Sequence, residues 1–212
     1  MAADRYALLV ATDTYTDPAL TQLRAPAGDA QALAEALADP SIGAFEVQEP
    51  LVNRPTEEIR QEIEGFFDAA RPRDLLLLYF SGHGVIAKDG RLYFAAANTK
   101  VDRLLATGIG EGFVNDVMRH SRARSIVLVL DCCHSGAFTH GLVPKAGLRV
   151  DADQRFEGEG RIILSASDAL EYAFEEVGAD VSVTDQGALS PGSLFTRCLV
   201  EGLRTGDADA PP

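Results

Sequence analysis

Long apolar runs are missing from this 212-residue chain: none reaches the roughly 18 residues that cross a bilayer, so no membrane span is expected. The opening Met1-Ala-Ala-Asp-Arg5 has neither the basic segment nor the apolar stretch of a secretory leader. Cysteine is scarce as well. With 3 cysteines, two of them adjacent, no disulfide framework can form, and a reducing, cytoplasmic setting is expected. Basic residues are outnumbered, 19 Lys and Arg against 32 Asp and Glu, for a net charge of −13. A nucleic-acid binder needs a basic stripe to displace counterions, so no nucleic acid is expected as partner, and no acidic membrane surface either. Internal repeats, Cys-x-x-Cys pairs and the ordered acids of an EF-hand loop are also lacking. The acid excess favours a cationic substrate.

What is present suits one large domain, with 46% hydrophobic and 24% charged residues. Tyr6–Ala11 reads as a first strand, followed by the turn-rich Thr12–Pro18. Ala30, Leu33, Ala34 and Leu37 recur at helical spacing within Ala27–Leu37. Phe45–Val52 holds a second strand, and Thr56 reads as the cap of a helix burying Ile59, Ile63, Phe66 and Phe67. Leu75–Phe80 and Ser125–Leu130 are strands rich in branched aliphatics, as in sheets covered on both faces. Between them, Lys88-Asp89-Gly90 turns a hairpin into Leu92–Phe94, and Glu111–Met118 is helical. Residues 139–160 read as a loop, Arg161–Ser165 as a fifth strand, Tyr172–Phe174 as a short sixth, Val177–Pro191 as a loop and Ser193–Leu203 as a final helix. The alternation predicts a three-layer α/β/α sandwich around a mainly parallel, six-stranded sheet.

Chemistry gathers where two of these strands end. Leu75–Phe80 runs into Ser81-Gly82-His83-Gly84, and Ser125–Leu130 runs into Asp131-Cys132-Cys133-His134-Ser135-Gly136. In open parallel sheets, ligand and catalytic groups collect beyond the carboxyl ends of strands, so a His and a Cys can meet over one cleft. A thiol beside an imidazole is the minimum equipment for nucleophilic acyl transfer. A Cys just past a strand is expected at a helix N-terminus, where main-chain N–H groups stabilise a thiolate and, with Gly84, an oxyanion. The bland alternatives are that both thiols are inert core residues, Asp29 a helix N-cap and Asp131 a hydrogen-bonded strand end. A zinc site built from Cys132, Cys133, His134 and His83 is disfavoured, since adjacent cysteines do not readily reach one ion.

The blocks Tyr79-Phe80-Ser81-Gly82-His83-Gly84 and Asp131-Cys132-Cys133-His134-Ser135-Gly136 resemble the two catalytic blocks of the metacaspases and related bacterial caspase-like peptidases. The distance of about fifty residues from His to Cys matches the caspase pattern. Thr14-Tyr15, Pro26-Ala-Gly-Asp29-Ala30, Ile163–Asp168 and Gly192-Ser-Leu-Phe-Thr196 extend the resemblance over most of the chain. The Gln-Ala-Cys-x-Gly block of animal caspases is absent. By this resemblance Cys133 is the nucleophile, Cys132 fills a variable position and His83 is general base and acid. The Gly84 and Cys133 amides form the oxyanion hole. Asp29 and Asp131, with Ser81, line the first specificity pocket. Acids there imply cleavage after Arg or Lys, whereas caspases, with basic groups in that pocket, cleave after Asp.

Two departures stand out: Pro26 where many metacaspases carry Cys, and Asn98 where an Asp is expected. The resemblance also implies self-processing between large and small regions, with Lys145, Arg149 and Arg155 as candidate sites in residues 139–160, and Arg161 a poorer one. No cofactor is required by this chemistry. Calcium activation has no motif behind it, since Asp102, Asp116, Asp151 and Asp153 are scattered. Of the remaining candidates, His120 and His140 are expected at the surface and Cys198 in the core. The expected organisation is one peptidase domain over 1–204, large-subunit-like to 138, linker 139–160 and small-subunit-like 161–204. Residues 205–212 read as the start of a linker towards a fused domain or as a disordered tail. By resemblance to metacaspases the protein is expected to be a monomer acting on protein or peptide substrates in signalling, defence or regulated cell death. The competing reading is a caspase fold kept as a catalytically silent scaffold.

Overall fold

The computed structural model describes residues 4–134, 156, 160–166 and 192–206, with 133 and 134 by their main chain alone. Along the chain the elements are β1 (Arg5–Ala11), α1 (Pro26–Ala38), β2 (Glu46–Val47), β3 (Leu51–Val52), α2 (Thr56–Asp68), β4 (Leu75–Ile86), β5 (Leu92–Phe94), α3 (Leu104–Thr107), β6 (Ile109–Gly110), α4 (Glu111–His120), β7 (Ser125–His134), β8 (Arg161–Ser165) and α5 (Leu194–Thr205). The aliphatic runs make the middle of one sheet in the order β1, β4, β7, β8, all parallel. β1 leaves the sheet at Ala11, and beyond it β5 pairs antiparallel with Gly84–Ile86 of β4 and carries β6 on its far side.

Strand alternation sorts the side chains to two faces. Leu76, Leu78 and Phe80 of β4 and Leu128 and Leu130 of β7 pack with Ile59, Ile63 and Phe67 of α2 and Val114 and Met118 of α4. Leu77, Tyr79 and Val129 face the other way, against Leu33 and Leu37 of α1 and Val200 of α5. Helices on both faces of a mainly parallel sheet make the expected α/β sandwich. No helix of the described residues is long and apolar enough to cross a membrane.

Several details depart from the sequence reading. Eight strands rather than six occur among the described residues. Phe45–Val52 gives two two-residue strands on β1, because Pro50 has no N–H to continue a ladder. Both central strands continue past the aliphatic runs, β4 through His83 and β7 through Cys133. Hydrophobicity is a poor guide there, since small or hydrogen-bonded polar residues can remain in a buried ladder. Cys133 therefore lies within a strand, not at a helix N-terminus. Thr56 is the first helical residue, not the cap, and its hydroxyl donates to the Thr107 carbonyl at 2.5 Å. Cys198 is exposed, because α5 turns Thr196 and Val200 inward instead. Phe156, inside the stretch read as a loop, is fully buried against Phe94 at 6.3 Å between ring centroids. The expected strand Tyr172–Phe174, the loop Val177–Pro191 and His140 lie outside the described residues.

Candidate active site

The register of β4 on β7 sets the frame of the site. Its Cα partners are Ser81 with Asp131, Gly82 with Cys132, His83 with Cys133 and Gly84 with His134. Neighbouring strands run about 4.8 Å apart, so two positions fifty residues distant in sequence become immediate neighbours. Alternation puts positions 131 and 133 on one face of the sheet and 132 on the other. Cys132 is buried among the α2–α4 core, its thiol directed to the Phe80 carbonyl at 3.7 Å. The structure thus separates Cys132 from the face that carries Asp131.

His83 is held from three sides. Its main-chain N–H donates to the Tyr15 hydroxyl at 3.0 Å, and that hydroxyl donates to the Thr12 carbonyl at 2.6 Å. The Tyr15 ring lies beside the imidazole, 5.0 Å between centroids. Nε2 meets the Thr21 carbonyl at 2.8 Å. A carbonyl only accepts, so Nε2 carries the proton and the neutral ring has its lone pair on Nδ1. The segment supplying these groups is braced internally: Gln22 bonds both the N–H and the carbonyl of Tyr15, and Leu23 N–H reaches the Asp13 carbonyl. Gly82 makes the close approach feasible. With φ at 148°, a β-carbon there would lie 2.9 Å from both the Thr12 carbonyl oxygen and the Tyr15 hydroxyl.

Below His83 on the same face, β4, β7, α1 and α5 enclose two carboxylates. Asp29, in the first turn of α1, is buried rather than capping, since the cap position is Ala25. It accepts the Ser193 N–H at 2.9 Å, and Gly192 passes so close that an added β-carbon would lie 2.9 Å from Asp29 Oδ1. Asp131 Oδ2 accepts the Ser193 hydroxyl, the Thr196 hydroxyl at 2.5 Å and, more distantly, the Tyr79 hydroxyl at 3.4 Å. Tyr79 lies 2.8 Å from Thr196 Oγ1. Burial pushes Asp29 up to about 6, with the Asp131 charge adding to it and the Ser193 N–H opposing. Asp131 is raised too, by burial, against the pull of the Ser193, Thr196 and Tyr79 hydroxyls. Among the described residues neither acid has a salt-bridge partner, and the Arg197 charge only partly offsets the shift of Asp29, so two desolvated carboxylates of like charge favour a cationic guest. Ser81, buried and paired with Asp131 across the strands, belongs to the same group.

His83, Ser81, Gly84, Asp29 and Asp131 are thus brought together around the end of the β4–β7 pair, and Cys133 joins them by its main chain. Lys145, Arg149 and Arg155 lie outside the described residues. Asp102 and Asp116 are exposed and face Arg103 and Arg119 at 3.8 and 3.6 Å, while Asp151 and Asp153 lie outside the described residues. His120 is exposed, as expected. Sequence reasoning missed the Thr21 carbonyl, a main-chain acceptor with no residue signature. It also missed Tyr15 as a brace for His83, and the Tyr79, Ser193 and Thr196 hydroxyls around Asp131. Those had a faint signal, since polar atoms in apolar strand and helix faces need partners.

A caspase-domain family model (peptidase C14) matches residues 4–210. Among solved structures, that of pro-sf-caspase-1 superposes with a TM-score of 0.60 at 15% identity, covering 95% of this chain and 70% of that one. A protein of Geobacter sulfurreducens superposes with a TM-score of 0.51 at 19% identity over 63% of this chain, which spans about half (51%) of that protein's chain. No curated protein sequence matches this one. At such identities the structural likeness speaks for the fold alone.

Proposed function

This chain belongs to the caspase-domain peptidases, and from that premise we propose that it is a cysteine endopeptidase cutting after arginine or lysine through a Cys133–His83 dyad. The observation that carries the reading is the pairing of His83 with Cys133 across two parallel strands, with Ser81 and Asp131 paired two positions earlier. In the first step His83 Nδ1 takes the Cys133 thiol proton while Nε2–H stays on the Thr21 carbonyl, so the ring does not rotate as it gains charge. The thiolate attacks the scissile carbonyl, and the Gly84 and Cys133 amides receive the oxyanion. His83 then protonates the leaving amine, and water hydrolyses the thioester. Asp29, Asp131 and Ser81 take the basic side chain that precedes the scissile bond. The dyad needs no metal.

Self-cleavage follows the same preference. Of the three candidates, Arg155 precedes the buried Phe156, whose withdrawal would be needed for that bond to enter a cleft, so Lys145 and Arg149 are the favoured sites. A fluorogenic peptide ending in Arg is expected to be cut and its Asp counterpart left intact. Intact-mass measurement of wild type beside Cys133→Ala is expected to reveal self-cleavage products only in the former. Cutting after Asp would overturn the pocket assignment, and a Cys133 that no thiol probe labels would overturn the dyad in favour of a silent scaffold.

A further inference from the structure

Three hydroxyls converge on a single carboxylate oxygen beneath the proposed active site, and none of them is explained by the chemistry of the dyad. We propose that Ser193, Thr196 and Tyr79 are specificity-determining positioning residues, which fix Asp131 and Asp29 so that both present an oxygen to a basic substrate side chain. This rests on the reading of those acids as the pocket for the residue before the scissile bond.

The hydrogens can be counted. Ser193 Oγ accepts the Thr196 N–H at 3.1 Å as the cap of α5, so its own hydrogen goes to Asp131. Thr196 donates its hydroxyl hydrogen to Asp131, which leaves its oxygen to accept from Tyr79. Ser193 and Thr196 thus donate directly to Oδ2, while Tyr79 orients the Thr196 hydroxyl from behind, its own oxygen 3.4 Å from Oδ2. The Ser193 main-chain N–H acts likewise on Oδ2 of Asp29. Among the described residues no hydrogen bond reaches Oδ1 of either acid. Donors confined to one oxygen of each carboxylate hold its plane and leave the other for a guest.

The choice of donor matters. A lysine or arginine in place of these hydroxyls would hold the acids equally well, but would cancel the charge that selects the substrate. Neutral donors orient the acids without that cancellation. Thr196 is 1% exposed and Tyr79 fully buried, so the arrangement stands before any substrate arrives. Ser193 links the two acids through one residue, its N–H on Asp29 and its hydroxyl on Asp131.

The test compares peptides ending in Arg and in citrulline, which matches Arg in shape without its charge. Wild type is expected to prefer Arg strongly. Thr196→Val and Ser193→Ala are each expected to raise KM for the Arg peptide by about tenfold or more, the scale for a hydrogen bond to a charged group. The Arg-over-citrulline preference should shrink with it, while kcat and the rate at which iodoacetamide labels Cys133 change far less. Thr196→Ser, which restores the hydroxyl, is expected to restore the preference. Tyr79→Phe removes one oxygen from a packed ring and is expected to give a smaller loss of the same kind, which guards against misfolding of the other variants. If wild type prefers Arg and Thr196→Val and Tyr79→Phe keep that preference undiminished, the inference fails alone. If kcat, labelling and both peptides decline together and Thr196→Ser does not rescue, α5 merely supports the fold and the inference also fails. A wild type that cuts neither peptide overturns the proposed function and this inference with it.

Discussion

Asp29 is a carboxyl whose burial favours its protonated form. Burial lifts its carboxyl to about 6 from the ordinary 3.8, so between these values the folded chain keeps a proton that the unfolded chain releases. Stability from this group therefore falls as pH rises from about 4 through 6 and then levels off, the reverse of a salt-bridged acid. Asp29→Asn is expected to melt above wild type at pH 7.5, with the gap closing towards pH 5. Binding of a cation has the opposite sign, because the charged form appears only above about 6. KM for an Arg peptide should accordingly fall as pH rises through that value, and a KM flat across it would contradict the pocket role. At this scale the sequence was legible where residue identity marks a position. His83, Cys133, Asp29 and Asp131 stand in recognisable blocks, whereas the Thr21 carbonyl belongs to the main chain and any residue could supply it.

Helix α2 and its neighbour strands show what could be read at the level of elements. The helical spacing of Ile59, Ile63, Phe66 and Phe67 placed α2 well, but its start was misread as a Thr56 cap. The Thr56 N–H is instead satisfied by Asn98 Oδ1 at 2.9 Å, from the segment following β5. Asn98 Nδ2 also donates to Glu57 at 3.0 Å, a bond that an Asp could not make and would oppose by repulsion. The departure from the expected Asp therefore suits Glu57. Asn98→Ala is expected to cost about 1–2 kcal/mol, the range for loss of a helix N-terminal partner. A melting temperature lower by about 2–8 °C would register it. Strand length was underestimated in β4 and β7 for a related reason. Ser81, His83 and Asp131 are polar, yet each has partners outside the ladder that a count of apolar residues cannot foresee.

The whole molecule carries a net charge of −13, and composition alone made that legible. Such a field draws cationic peptides towards it, while salt screens it beyond about 8 Å at physiological strength. For an Arg peptide, kcat/KM is expected to fall severalfold between about 20 mM and about 300 mM NaCl, with kcat nearly constant. A salt-independent kcat/KM would place recognition wholly in the short-range pocket. The layering of helices over both faces was likewise foreseen, since alternating apolar patterns fix it. The pairing of β4 with β7 has one more consequence. A nascent chain holds His83 for some fifty residues of synthesis before Cys133 exists, and even then the two meet only when distant strands zip together. The proposed dyad is thus assembled by folding rather than by synthesis, and a chaperone holding these strands apart would keep it unassembled without touching either side chain.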